Sequence, residues 1–480
     1  MKVLFIQPPD SHVDGSLKGG VWHAPPLGIA SLAAFLREKK HTSKIIDLAV
    51  DKKNPKEVCE EFNPDYICFS VTTPLLSQAN MLAKQLKKKF SELKIIFGGS
   101  HPSTEIEKVL KQDFVDFVVF GEGEFTLAEL LESKPLEGIR GLAYKKGRKL
   151  IINPARELIK DIDSLPMPAY DLLNIYKYPD HPLSIKSPNI SILTSRGCPF
   201  GCTYCNKSVF GRTFRKMGYK KVVDQMEHLI NKYGIKEFQI IDDTFTLDRE
   251  RVKNICKEIL RRRLKITWMT PNGIRVGSLD LETLRLMKQA GCHYLYLGVE
   301  SGSPKILKRI KKAITLDQVR GTVRMVNKAG IRVGAFFMMG LPDETTDNIQ
   351  QTIDFSKSLK LDSVKFGIMV PLPGTEIFEE FKQKGFIKNF DYSDYFWHKE
   401  PVFETDLLSK EILFKYYKKA YREFYLRPQY ILRKMLNLRS LSDIRNILKG
   451  LIVVINNQLS NFKSHRKFNK STKFLRKLWD

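Results

Sequence analysis

Cys198, Cys202 and Cys205 stand between Thr194 and Asn206 in a CxxxCxxC spacing. Thiolates hold iron–sulfur clusters, and a fully ligated 4Fe-4S cluster takes four of them. Only three are at hand here. The remaining cysteines, Cys59, Cys68, Cys256 and Cys292, are scattered through runs that read as core strands or helices, where a free thiol behaves as a small hydrophobe. Three ligands leave one iron open. A structural zinc site is the alternative, because three cysteines and a histidine also satisfy that metal. Zinc motifs, however, usually pair CxxC with a matching second half, and nothing downstream supplies one.

With Tyr204 just before the third cysteine, this loop resembles the signature of the radical S-adenosylmethionine superfamily. The resemblance implies that the open iron chelates the amino and carboxylate groups of S-adenosylmethionine. It further implies that one electron, from a donor such as flavodoxin or ferredoxin, releases a 5′-deoxyadenosyl radical. The chemistry is then the cofactor's, and the protein's part is to position it and exclude solvent.

A loop with that task needs a cradle, and the region from about 190 to 380 alternates short apolar runs with amphipathic stretches. Strand candidates are 190–194, 238–241, 267–270, 294–299, 333–339 and 364–370, which together suggest a partial (βα)6 barrel. In such arrays functional residues gather where strands end. Those ends carry Asp242-Asp243-Thr244-Phe245, Asn272-Gly273-Ile274-Arg275, Glu300-Ser301-Gly302-Ser303, Gly340-Leu341-Pro342 and Pro371-Leu372-Pro373-Gly374-Thr375. Asp242 or Asp243 is placed to accept from the methionyl ammonium, Asn272 lies at the same mouth, and Glu300 with Ser301 is placed to reach ribose hydroxyls. Taken singly, an acidic strand end is more often a helix cap and a GxP segment a plain turn. The series resembles the branch of the superfamily that carries an extra cobalamin domain.

Residues 1–135 read as a second α/β unit, with strands at 3–7, 44–48, 66–71, 94–97 and 117–120 and helices such as 27–39 and 76–90 between them. Strict alternation predicts a doubly wound, flavodoxin-like open sheet that binds its ligand beyond the carboxyl ends of the strands. Those ends carry Pro8-Pro9-Asp10, Ser70-Val71-Thr72-Thr73, Gly98-Gly99-Ser100-His101-Pro102 and Gly121-Glu122-Gly123-Glu124. Glycine pairs allow backbone to approach a large flat cofactor closely. The Pro25-Pro26-Leu27-Gly28 helix start and the GGxHP and GEGE turns resemble cobalamin-binding domains fused ahead of radical enzymes. On that resemblance Ser70, Thr72, Gly98, Gly99, Gly121 and Glu122 line the cofactor, and His101 contacts its periphery.

Asp10-Ser11-His12-Val13-Asp14-Gly15 also fits the DxHxxG pattern of methionine-synthase-type domains, in which the histidine, here His12, ligates cobalt. Against this stand the long stretch from Gly15 to the first helix and the Ser70-Val71-Thr72 variant of the serine motif on the third strand. Many relatives leave the lower face of cobalt without a protein ligand, and a histidine in a polar loop is usually only solvated.

The expected organisation is thus a cobalamin domain at 1–135, a linker at 136–188, a radical core at 189–400 and a basic helical region at 401–480. Within the linker, 141–153 reads as a hairpin closed at Lys146-Gly147, and 165–171 as a proline-restricted strap. Seven cysteines without a cystine-like framework, no secretory signal and no apolar run of membrane-spanning length indicate a cytoplasmic, oxygen-sensitive protein. The net charge of +27 is concentrated at the C-terminus, where residues 401–480 hold 18 Lys and Arg against 6 Asp and Glu. A solvated basic tail explains this without function. Attachment to anionic lipid is the sharper reading, since Ile444, Ile447, Leu448, Leu451 and Ile452 could line one helix face, and it would suit a lipid-like substrate. Nucleic acid fits least, because no recognisable RNA-binding module is present.

The resemblance implies a C-methyltransferase that uses a deoxyadenosyl radical and methylcobalamin on a small-molecule substrate. The alternative is an oxidative cyclase of the magnesium-protoporphyrin ester type. A methylthiotransferase acting on tRNA would want a second cysteine triad, and a cobalamin-binding sensor module would not need the cluster loop.

Overall fold

The computed structural model describes residues 1–9 and 22–436. Its first sheet contains β1 Lys2–Gln7, β2 Thr42–Asp47, β3 Tyr66–Ser70, β4 Lys94–Gly98, β5 Phe117–Val119, β6 Leu142–Lys146 and β7 Lys149–Ile152, in the order β2-β1-β3-β4-β5-β6-β7. Strands β1 to β5 run parallel, as continuous apolar strands covered on both faces do. Helices α1 Leu27–Glu38, α2 Pro55–Phe62, α3 Leu76–Lys89, α4 Ile106–Leu110 and α5 Glu124–Leu131 provide the crossovers. The 2-1-3-4-5 order puts a topological switch point between β1 and β3, where a crevice opens at the strand ends. The hairpin expected in the linker is instead part of this sheet, because β6 pairs antiparallel with β5 through Phe117–Tyr144, Val118–Ala143 and Val119–Leu142. It covers an edge that would otherwise expose unpaired backbone.

The second sheet is fully parallel: β8 Asn189–Ile192, then β11 Glu237–Ile240, β12 Thr267–Ile274, β13 Cys292–Glu300, β14 Arg332–Met339 and β15 Ser363–Ile368, in sequential order. Two short strands, β9 Ser195–Arg196 and β10 Arg215–Lys216, bracket the cysteine loop. Helices α6 Tyr219–Tyr233, α7 Arg249–Arg261, α8 Leu281–Gln289, α9 Pro304–Arg309, α10 Leu316–Lys328, α11 Thr346–Ser358 and α12 Glu376–Gln383 follow the strands. The amphipathic ones start on side-chain caps such as Asp248, Asp280, Thr315 and Thr345. This is an open six-stranded (βα)6 half-barrel.

Strap residues join the two sheets. Ala169 donates to the Ala30 carbonyl of α1, while the Tyr170 hydroxyl donates to the Ser191 carbonyl of β8 at 3.0 Å and accepts from Gln225 of α6. The aromatic stretch after 401 folds as α13 Lys410–Tyr425 and α14 Pro428–Leu436, and α13 packs its buried Tyr417, Tyr421 and Phe424 into the core beside β15. The DxHxxG stretch with His12 and the apolar face proposed at 444–452 lie outside the described residues. No helix among the described residues is long and apolar enough to cross a membrane.

Candidate active site

The cysteine loop leaves β9 and returns through β10. Cys198 and Cys202 are half-buried and Cys205 is exposed. Lys207 ties the loop to itself by donating to the carbonyls of Cys198 and Phe200. Thr203 donates to the Ile310 carbonyl beyond α9 and accepts from Ile377 of α12. Arg275 stacks over the Phe200 ring at 3.6 Å. Burial and the neighbouring thiols push the Cys205 thiol up to about 11, opposed by Lys207. A cluster holds its thiolates at separate corners, and a three-cysteine loop fits one.

Asp243 is exposed at the barrel mouth, where one oxygen accepts from the Gly197 amide at 3.2 Å. Asp242, which lines the same cavity as Asp243, spends its carboxylate on the neighbouring strand. Its carboxylate is buried and accepts from the Thr194 amide and from the hydroxyls of Thr194 and Ser195, each at 2.6 Å, so it braces the strand ahead of the cysteines. Burial pushes its carboxyl up, against the attraction of Arg251. Asn272 is exposed because a register shift between Thr270 and Ile274 bulges β12 there, and its amide donates to the Ile241 carbonyl at 2.7 Å.

Glu300 adopts φ +74° and is held by Lys312, whose ammonium donates to it at 2.8 Å and to the Tyr204 hydroxyl at 3.2 Å. The two residues expected to contact cofactor are therefore joined through a lysine that strand-end reasoning missed. Ser301 does not fit its expected reach toward ribose. Its hydroxyl is fully buried, shares a hydrogen bond with Thr352 and accepts from the Ser303 amide.

In the first sheet Ser70 is half-buried, Thr72 is exposed, and Gly98 and Gly99 turn the chain at the end of β4. Gly99 has φ +101°, and a Cβ there would come within 2.9 Å of the Val71 backbone, so only glycine lets these two strand ends approach. Gly121 faces open space, with no atom within 4 Å of where its Cβ would be. Small residues at a crevice of this kind suit a large planar cofactor. His101, expected to contact the cofactor's periphery, is buried, bonded to Thr73 at 3.1 Å and packed on the Tyr392 ring. Glu122 also departs from a cofactor contact, because both oxygens are taken by Arg196 at 2.8 Å and Arg215 at 2.6 Å.

The two sheets meet at the loop. Asn206, next to Cys205, donates to the Pro373 carbonyl at 2.7 Å and to the Thr104 hydroxyl at 3.0 Å, and the Ser208 hydroxyl donates to the Ser100 carbonyl. Gly374, at φ +80°, packs against Thr104 so closely that a Cβ would stand 2.4 Å from its methyl. Beside this junction a cavity of about 400 Å³ is lined by Trp22, His181, Asp242, Asp243, Pro271, Asn272, Phe336 and Lys365. Trp22, His181 and Lys365 were not anticipated. A lysine inside an otherwise apolar strand was the one available signal, and only for Lys365.

The Radical SAM superfamily model matches residues 192–356 and the B12 binding domain model residues 20–131. The chain is 34% identical over 463 residues to an uncharacterized methyltransferase of Pyrococcus horikoshii, covering 95% of this chain and 98% of that one. It is 27% identical to an anaerobic magnesium-protoporphyrin IX monomethyl ester cyclase of Cereibacter sphaeroides, covering 89% and 71%. Its fold matches the radical S-adenosylmethionine methyltransferase TsrM of Kitasatospora setae, solved with cobalamin and a [4Fe-4S] cluster bound. That match has a TM-score of 0.69 at 17% identity and covers 96% of this chain and 99% of that one.

Proposed function

Because the chain belongs to the radical S-adenosylmethionine enzymes that carry a B12-binding domain, we propose that it is a C-methyltransferase acting on a small molecule. Its cofactors are a 4Fe-4S cluster, S-adenosylmethionine and cobalamin. When bound, they supply hydrogen abstraction from an unactivated carbon and a methyl donor for the carbon so activated. The protein's residues take the supporting parts. Cys198, Cys202 and Cys205 would hold the cluster, Asp243 the methionyl ammonium and the Lys312-supported Glu300 a ribose hydroxyl. The crevice at Ser70, Thr72, Gly98, Gly99 and Gly121 would hold the corrinoid.

The observation that carries this reading is the direct bonding of the cluster loop to the β4 turn through Asn206–Thr104 and Ser208–Ser100. A substrate activated by the radical and methylated from the corrinoid must meet both cofactors, and bonds that hold the cysteine loop to the first sheet support that reading. The cyclase likeness favours a second reading, oxidative ring closure without methyl transfer.

Anaerobic reconstitution tests both. Cluster and corrinoid absorption should appear together, and dithionite or a flavodoxin should drive 5′-deoxyadenosine formation. Failure to take up corrinoid would sink the two-cofactor reading, and deoxyadenosine surviving the combined Cys198→Ala, Cys202→Ala and Cys205→Ala substitution would sink the radical one. With substrate, accumulation of S-adenosylhomocysteine supports methylation, and deoxyadenosine without it supports the cyclase reading.

A further inference from the structure

Strand alternation along β15 sends Val364, Phe366 and Ile368 into the core and leaves Ser363, Lys365 and Gly367 on the opposite, half-buried face. Ser363 shares hydrogen bonds with the hydroxyls of Tyr294 and Tyr296 at 2.7 and 3.0 Å. The Lys365 ammonium lies 5.0 Å from the Tyr296 ring centroid and 5.5 Å from that of Phe336, and those two rings stack at 4.6 Å. Gly334 makes room for the stack, since a Cβ there would stand 2.5 Å from the Tyr296 ring. Three strands thus build an aromatic floor under one cation.

What that cation lacks is a counter-charge. Three other buried cations are paired with carboxylates, Arg196 with Glu122 and Glu124, Arg215 with Glu122 and Lys312 with Glu300, while the buried Arg251 donates to the Thr194 and Met217 carbonyls. Among the described residues no carboxylate pairs with Lys365, and burial alone pulls its ammonium down to about 8. Ring faces attract a cation but do not replace a desolvated anion. His181, which also lines the cavity, is kept neutral by burial and by the lysine's own charge, and an imidazole supplies no negative charge. The lysine lines the 400 Å³ cavity opposite Asp243, with β12, β13 and β14 between their strands. No residue of the cluster loop lines that cavity, and the loop has its own cation in Lys312.

On the reading that this chain transforms a small molecule, we infer that the cavity takes an anionic substrate whose carboxylate or phosphate pairs with the Lys365 ammonium while its apolar or aromatic body lies on Phe336, which Tyr296 backs from below, and on Trp22. The anion supplies the missing charge. Asp243, given above to the methionyl ammonium, lines the same cavity and would repel a second anionic group there.

Matched probes test this on the full-length, anaerobically reconstituted protein by calorimetry: indole-3-acetate against indole-3-acetamide, and phenyl phosphate against phenol. At least one acid should bind about tenfold or more tightly than its neutral partner. Lys365→Met should remove that preference and Lys365→Arg should keep most of it. The stronger acid arm tells carboxylate from phosphate. Equal affinity for acid and neutral partner, no binding of either acid, or a preference that survives Lys365→Met overturns the inference. So does a loss of S-adenosylmethionine affinity in Lys365→Met as large as the loss of acid affinity, because the lysine would then serve that cofactor. Deoxyadenosine formation by the wild-type protein tests the radical reading separately, and probe binding does not depend on it.

Discussion

A polar side chain at a strand end becomes a ligand contact only if nothing nearer takes its hydrogen bonds. The cysteine triad was legible in the sequence because its chemistry lies in three residues on one short loop. Ser301 and Glu122 were misread because their partners, Thr352 and Arg196, are 51 and 74 residues away. No local pattern announces such pairings. His101 shows the same principle with a measurable consequence. Its ring is 2% exposed, and burial pulls its pKa from 6.5 down to about 4. A histidine buried neutral stabilises the fold fully above its unfolded pKa. As pH falls from 6.5 toward 4 the unfolded chain takes up the proton first, so that stability is lost across this window. At pH 5 the loss is about 2 kcal/mol by linkage. Urea unfolding at pH 7 and pH 5 should show a smaller pH dependence in His101→Gln than in the wild type, and an unchanged dependence would assign the acid sensitivity elsewhere.

An open half-barrel must protect its outer strand, and this one does so with tyrosines. The i, i+4 pair Tyr421 and Tyr425 on one face of α13 matches alternate residues of β15. The Tyr421 hydroxyl donates to the Phe366 carbonyl at 3.0 Å, while that of Tyr425 donates to the Val364 carbonyl at 2.7 Å and accepts from the Val364 amide. Tyr430 continues the row by donating to the Asp362 carbonyl. The six barrel strands were readable from apolar runs. This clasp was not, since aromatics interleaved with lysines read equally well as an exposed amphipathic face. Similarly, the hairpin was recognised from its turn residues but assigned to a linker, because pairing with β5 depends on an edge that sequence periodicity does not reveal. Tyr425→Phe leaves two backbone groups without their partner and should cost about 1–3 kcal/mol, more than Tyr421→Phe, which frees one. Hydrogen exchange at the Val364 amide should accelerate in the first variant and hardly change in the second; equal protection in both would mean the hydroxyl bonds are replaceable by water.

Across the whole molecule, the placement of the first sheet against the cysteine loop rests on buried charge as well as on the shared apolar core. Glu122, at the end of the first sheet, accepts from Arg196 and Arg215, which flank the cysteine loop, and from the Ile159 amide of the connecting segment at 2.8 Å. Glu124 takes the other arm of Arg196 at 2.7 Å. A buried network of this kind contributes little net stability relative to an apolar contact, yet it is costly to break, because each unpaired arginine keeps its desolvation penalty. It also fixes geometry, since Arg196 spans Glu122 and Glu124 with its two terminal nitrogens while Glu122 spans Arg196 and Arg215. Within the GEGE turn, then, Glu122 and Glu124 serve the arginines that flank the cysteine loop. Glu122→Ala should destabilise the fold by about 3–5 kcal/mol, and Glu122→Gln, which retains acceptors for part of the network, by less. If the network sets the loop against the first sheet, Glu122→Gln should also leave cluster and corrinoid content near wild type while lowering product formed per deoxyadenosine. Iron and cobalt analysis alongside coupled product assays separates the outcomes: lost cofactor content would make Glu122 a folding residue only, whereas retained content with uncoupled turnover would make it the residue that holds one site to the other.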